Sequence, residues 1–94
     1  MAALTASTAL PERADGNALV RLPGVIALSG MGRATIYDFM QRGLFPAPIK
    51  IGPKLAAWPR SEIDRINGAR IAGKSSDEIK AIVAELMGAR KDRI

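Results

Sequence analysis

The sequence predicts a mainly α-helical domain with one small β-hairpin. Three observations predict it. Apolar residues recur at helical spacing within residues 36–40, 63–66 and 79–87. Glycine and proline cluster at the joints, at residues 30–32, 43–48 and 52–53. Between residues 49 and 58 the pattern changes to two short strand-like runs around a Gly-Pro turn.

The chain is organised around residues 30–43. Gly30-Met31-Gly32 reads as a turn, a short helix comes next, and Gly43 ends it. Ile36, Phe39 and Met40 sit at i, i+3 and i+4, the spacing of a face packed on a core. The opposite face carries Ala34, Tyr37, Asp38 and Gln41, with Arg33 and Arg42 at its flanks and Thr35 on its border. Small side chains let such a helix enter a DNA major groove. Polar ones meet base edges, and cations meet phosphates. The same pattern also suits an ordinary surface helix, because two-helix turns are common.

Before this stretch, residues 1–20 read as a flexible arm, with room for a nascent turn around residues 6–10. Residues 21–30 read as a short first helix. Pro23 suits position N1, Val25, Ile26 and Leu28 supply apolar contacts, and Gly30 suits a left-handed cap. Gly32 is a permitted N-cap for the next helix. Helix, three-residue turn and helix make a helix-turn-helix.

After Gly43, Pro46 and Pro48 force an extended path. Ile49-Lys50-Ile51 and Leu55-Ala56-Ala57-Trp58 then read as two strands joined at Gly52-Pro53-Lys54. This hairpin is a wing bearing Lys50 and Lys54, and Trp58 reads as its anchor to the core. A third helix opens at Pro59, taken as N1, with acidic residues in its first turns and Ile63 and Ile66 inward. Gly68 and Gly73 weaken the helical character of residues 68–74.

Ser75 and Glu78 have capping-box spacing and open a fourth helix, which Gly88 is expected to end before a basic tail. Its apolar stripe is Ile79, Ile82, Val83, Leu86 and Met87. That stripe packs either on its own domain, the default for an amphipathic helix, or on a second copy of the chain. The organisation read from the sequence is therefore an arm at 1–20, a winged helix-turn-helix at 21–70, and an amphipathic helix with basic tail at 71–94.

Composition narrows the chemistry. Ninety-four residues bury a modest core and leave little room for a large enclosed site. Cysteine and histidine are both absent, which removes thiolate ligands and the commonest general base. Glu62 and Asp64 lie two apart on a helix and do not face each other. No acid–base or metal constellation can be assembled, so neither an enzyme nor a cofactor is expected. No run of about 18 apolar residues marks a membrane span. The N-terminus lacks the basic start of a signal peptide, so a cytoplasmic protein is expected. The net charge is +5, and residues 21–70 alone carry eight cations against three anions. That concentration points to a polyanionic partner.

Residues 68–75, Gly68-Ala69-Arg70-Ile71-Ala72-Gly73-Lys74-Ser75, match the spacing of a phosphate-binding loop. That loop needs a preceding parallel strand and a large α/β sheet, and here it comes after a helix. Nucleotide binding is therefore not expected.

The pieces Arg21-Leu22-Pro23, Leu28-Ser29-Gly30, Arg33-Ala34-Thr35-Ile36-Tyr37, Gly43-Leu44-Phe45-Pro46, Ile49-Lys50-Ile51-Gly52 and Trp58-Pro59-Arg60-Ser61-Glu62-Ile63 occur in order. Together they resemble the AlpA-type phage regulators and excisionases, small winged helix-turn-helix proteins related to the MerR DNA-binding domain. The resemblance covers about residues 21–67. It implies a DNA-binding protein of a mobile element, acting in the bacterial cytoplasm on nucleoid DNA. Such proteins act as excisionases that bend DNA cooperatively for an integrase, or as transcription regulators. A module that binds another protein through the fourth helix is the alternative of a different class.

The resemblance places the recognition helix on Arg33, Thr35 and Tyr37 and the wing cations on Lys50 and Lys54. Gly32 and Asp38 depart from the family pattern, which has serine and commonly a basic residue there. Asp38 could accept from cytosine N4 or pair with Arg42 at i+4, and the pair is favoured because it needs no partner. Contacts to double-stranded DNA are expected at both elements. Tyr37, Ala34 and Gln41 face the major groove, and Arg33, Arg42 and Lys50 meet phosphates. Lys54 reaches toward the minor groove.

Overall fold

A computed structural model describes residues 17–92; the expected arm and its nascent turn fall almost wholly outside the described residues. The element order is β1 (Leu19–Val20), α1 (Leu22–Ser29), α2 (Arg33–Gln41), β2 (Ile49–Gly52) and β3 (Leu55–Pro59), then α3 (Arg60–Ile71) and α4 (Ser76–Ala89). One turn of 3-10 helix comes last, at Arg90–Asp92. This is a winged helix-turn-helix with an additional C-terminal helix, mainly α with a small sheet, as the sequence predicts. Among the described residues, no helix is long and apolar enough to cross a membrane.

The sheet is antiparallel in the order β1-β3-β2. Leu19 and Val20, expected to belong to the arm, instead pair with Pro59 and Trp58. Two residues are too few to display a strand period, so β1 was not legible. In the wing, Lys50 lies opposite Ala56 and Gly52 opposite Leu55, and the irregular step between Lys50 and Gly52 bends the hairpin.

α1 starts at Leu22, so Pro23 takes the second helical position rather than the first. Both positions tolerate a missing N–H, because first-turn amides have no partner within the helix. Gly30 caps α1 at φ 74°. Gly24 is required for a different reason. A Cβ there would lie 2.5 Å from Val20 Cγ1, so the glycine lets α1 lie against β1.

α2 is capped by Gly32 and closed by Gly43 at φ 78°. The amides of Gly43 and Leu44 donate to the carbonyls of Met40 and Phe39, the paired bonds of a Schellman motif. α3 ends in the same way. Gly73 and Lys74 donate to Arg70 and Ala69. That helix runs through Gly68, expected to weaken it, to Ile71. Pro59 completes β3 and becomes the N-cap of α3 rather than its N1 residue. Its extended backbone suits both roles.

α4 begins with the predicted capping box. Ser75 N donates to Glu78 Oε1 at 2.8 Å, and Glu78 N donates to Ser75 Oγ at 3.2 Å. Gly88 does not stop the helix, which continues to Ala89. The reason appears one residue later, where Arg90 is anchored and holds the last turn.

Trp58 and Phe45 form the centre of the core, with ring centroids 6.2 Å apart. Trp58 is 1% exposed, and its Nε1 donates to Pro46 O at 2.8 Å, which confirms it as an anchor. Val25, Ile36, Ile63, Ile66, Ile79 and Val83 pack around this pair. Burying such side chains contributes about 1.5–3 kcal/mol each. Ile79 and Val83 are buried in the chain's own core. Ile82 and Leu86 pack against that core while partly exposed, and Met87 is exposed. The fourth helix therefore packs in cis.

Candidate nucleic-acid interface

Ile36 holds α2 to the core with no exposed surface. On the other side of the helix Arg33, Ala34, Thr35, Tyr37, Asp38, Gln41 and Arg42 are all exposed. The Arg33 guanidinium lies 5.8 Å from the centroid of the Tyr37 ring. This i,i+4 contact holds a cation and an aromatic ring side by side. Asp38 pairs with Arg42 at 3.2 Å, as expected from their spacing. The pair is solvated and worth about 0.3–0.5 kcal/mol, so it orients Arg42 without locking it. Gly32 offers no side-chain cap, so the first amides of α2, at the positive end of the helix dipole, have no side-chain acceptor from their N-cap. Lys50 and Lys54 on the wing are exposed as well.

Four residues whose side-chain bonds tie together the elements behind this surface were not anticipated. Asn67 Nδ2 donates to Leu28 O at 2.9 Å and ties α3 to the last turn of α1. A mid-helix asparagine is a poor helix former, and that was its only signal. Arg70 Nη2 donates to Leu44 O at 3.2 Å, and its guanidinium lies 4.8 Å from the Phe39 ring centroid. Burial lowers the Arg70 pKa from its ordinary value, yet a guanidinium stays charged at neutral pH. The remaining two are Glu62 and Arg90. Glu62 is fully buried and paired with Arg90 at 2.7 Å. In the sequence these two read as a helix-dipole acid and part of a basic tail.

The phosphate-loop spacing at residues 68–75 corresponds to the end of α3. The amides of Ala72, Gly73 and Lys74 donate to the carbonyls of Gly68, Arg70 and Ala69. The Ser75 hydroxyl accepts from Glu78 N. The groups that would cradle a phosphate are already bonded, so the segment is a helix terminus.

Three comparisons of sequence bear on this arrangement. The family described as Prophage CP4-57 regulatory protein (AlpA) matches residues 18–66, from β1 into α3. A protein of Enterobacteria phage P4, "Uncharacterized protein ORF88", is 40% identical over 55 residues, which cover 58% of this chain and 62% of that protein. The "DNA-binding transcriptional activator AlpA" of Escherichia coli (strain K12) is 40% identical over 52 residues, covering 49% of this chain and 74% of its own length. A match over more than half of the sequence, spanning the whole helix-turn-helix and wing, identifies the chain as a member of the AlpA family of prophage regulatory proteins.

Proposed function

We propose that the chain binds double-stranded DNA in a sequence-specific manner and regulates transcription on a mobile element. The observation that carries this reading is the outer face of α2. It presents a stacked Arg33–Tyr37 pair, a small residue, Ala34, and an amide, Gln41, all exposed. The relative named as a DNA-binding transcriptional activator supports it. In this reading α2 lies in the major groove. Gln41 reads adenine, the Ala34 methyl meets a thymine methyl, and Thr35 and Tyr37 contact the groove edge. Arg33, Arg42 and Lys50 meet phosphates and fix the register, and Lys54 at the wing tip approaches the minor groove. About five neutralised phosphates give a log–log salt slope of about −5.

A second reading starts from the part of the α4 stripe that stays exposed: an excisionase that bends DNA for an integrase, with copies of the chain assembling side by side on adjacent sites. Ile82, Leu86 and Met87 are the parts of the α4 stripe that reach the surface for such an assembly, because Ile79 and Val83 serve the chain's own core. Selection of bound duplexes from a random pool tests the shared part of both readings. A defined motif, with affinity falling steeply in salt, supports DNA recognition. No enrichment leaves a protein-interaction module. On the selected site, one discrete complex with a transcriptional response favours the regulator. Growing complexes with altered gel mobility of bent duplexes favour the excisionase.

A further inference from the structure

We propose that Arg90 is a positioning residue for the wing, so that the segment beyond α4 sets where Lys54 meets DNA. Its consequence for binding rests on the DNA-binding reading above; its geometry does not.

The linker of residues 44–48 carries the chain from α2 to the wing. Pro46 and Pro48 bring no N–H, so beyond the Leu44 amide, which donates to Phe39 O, two of its residues cannot pair through their own nitrogens. Its carbonyls are held by side chains instead. Leu44 O accepts from Arg70 Nη2 at 3.2 Å, Pro46 O from Trp58 Nε1 at 2.8 Å, and Ala47 O from Arg90 Nη2 at 2.7 Å. The first and third donors, Arg70 and Arg90, come from outside the segment that matches the family, which ends at residue 66.

Arg90 is itself anchored. Its Nε donates to Glu62 Oε2 at 3.0 Å and its Nη2 to Glu62 Oε1 at 2.7 Å. Glu62 lies in the first turn of α3, three residues after β3 ends. Ala47 lies two residues before β2 begins. One guanidinium therefore ties the entry of the hairpin to its exit. The hairpin arm is about 15 Å long at 3.3 Å per residue, so a rotation of about 10° at its base moves the tip by about 2–3 Å. That displacement is enough to break a phosphate hydrogen bond. Lysine cannot reproduce the arrangement, because its single ammonium cannot fork to the carboxylate while also reaching Ala47.

The test compares the full-length chain with Arg90→Lys, each with and without Lys54→Ala or Arg33→Ala, on a selected duplex. In the wild type, Lys54→Ala weakens binding about three- to tenfold. In the Arg90→Lys background the same change costs less than about twofold, while Arg33→Ala costs as much as before. In the free protein, amides of residues 50–55 exchange about tenfold faster in Arg90→Lys while those of α2 do not. An unchanged Lys54 cost together with unchanged wing exchange overturns the proposal. Equal acceleration in the wing and α2 also overturns it, because Arg90 then serves only global stability. If the wild type binds no duplex, the functional reading fails, and the exchange comparison alone decides the role of Arg90. If Arg90→Lys does not fold, Glu62→Gln, which removes the ionic anchor and keeps the shape, is read by the same comparisons.

Discussion

α2 and α4 are both amphipathic helices with one face on the same core, yet their free groups are treated in opposite ways. α4 has its N-terminus closed by the Ser75–Glu78 box, and its C-terminus leads into an arginine fixed on Glu62. α2 starts at a glycine with no side-chain cap, and its outer face carries cations and an aromatic ring in solvent. Both ends of α4 are closed by contacts inside the molecule. The outer face of α2 lies in solvent, where Asp38 pairs with Arg42 and Arg33 lies over Tyr37. The family match covers α2 and stops before α4. Under the proposed function, the difference separates a helix that reads from a helix that holds the reader in place.

The largest effect expected from breaking this contrast is on the holding side. Arg90→Ala leaves a fully buried carboxylate without its guanidinium, and losing one partner of a buried pair costs about 3–5 kcal/mol. Urea unfolding checks this, and the midpoint falls accordingly. On the reading side, Arg33→Ala with Lys54→Ala leaves the unfolding midpoint nearly unchanged. It weakens duplex binding about ten- to a hundredfold and reduces the salt slope by about 2. Fluorescence anisotropy at several salt concentrations measures both.

Gly24→Ala sharpens the contrast within the helix-turn-helix. The added Cβ meets Val20 at 2.5 Å, and overpacking of this kind costs about 1–3 kcal/mol, partly offset by better helix propensity. Thermal unfolding checks it. The smallest effect is on pH. Hydrogen bonds from Ser75, first backbone and then hydroxyl, hold the Glu78 carboxyl below its ordinary pKa. Its folded value is depressed, so its contribution is present above the ordinary carboxylate range and is lost as pH falls through the folded value. Amides at the start of α4 lose exchange protection on acidification, and Glu78→Gln removes that dependence.

The elements were legible where local chemistry is strong. Gly30, Gly43 and the Ser75–Glu78 spacing each announced a helix end, because caps are set by residues a few positions apart. The Asp38–Arg42 pair was legible for the same reason, and the burial of Trp58 because a lone large aromatic beside a small hairpin needs a core. The features that escaped depend on distance in the chain. β1 exists only because Val20 finds Trp58, and Gly88 stays helical as the next turn leads into Arg90, which reaches Glu62 28 residues away. A two-residue strand and an arginine in a charged tail carry no local mark of such partners. The exposed face of α2 could be read directly, since exposure comes from helical period, whereas the supports from Asn67, Arg70 and Arg90 could not.

The decisive measurement for base reading by α2 repeats the random-duplex selection with Gln41→Ala and with Tyr37→Ala. If α2 reads bases, each variant still selects a related motif but loses preference at one or two adjacent positions, with about 1–3 kcal/mol of discrimination gone at each. Recovery of the wild-type motif, with full preference at every position from both variants, would show that α2 does not read them.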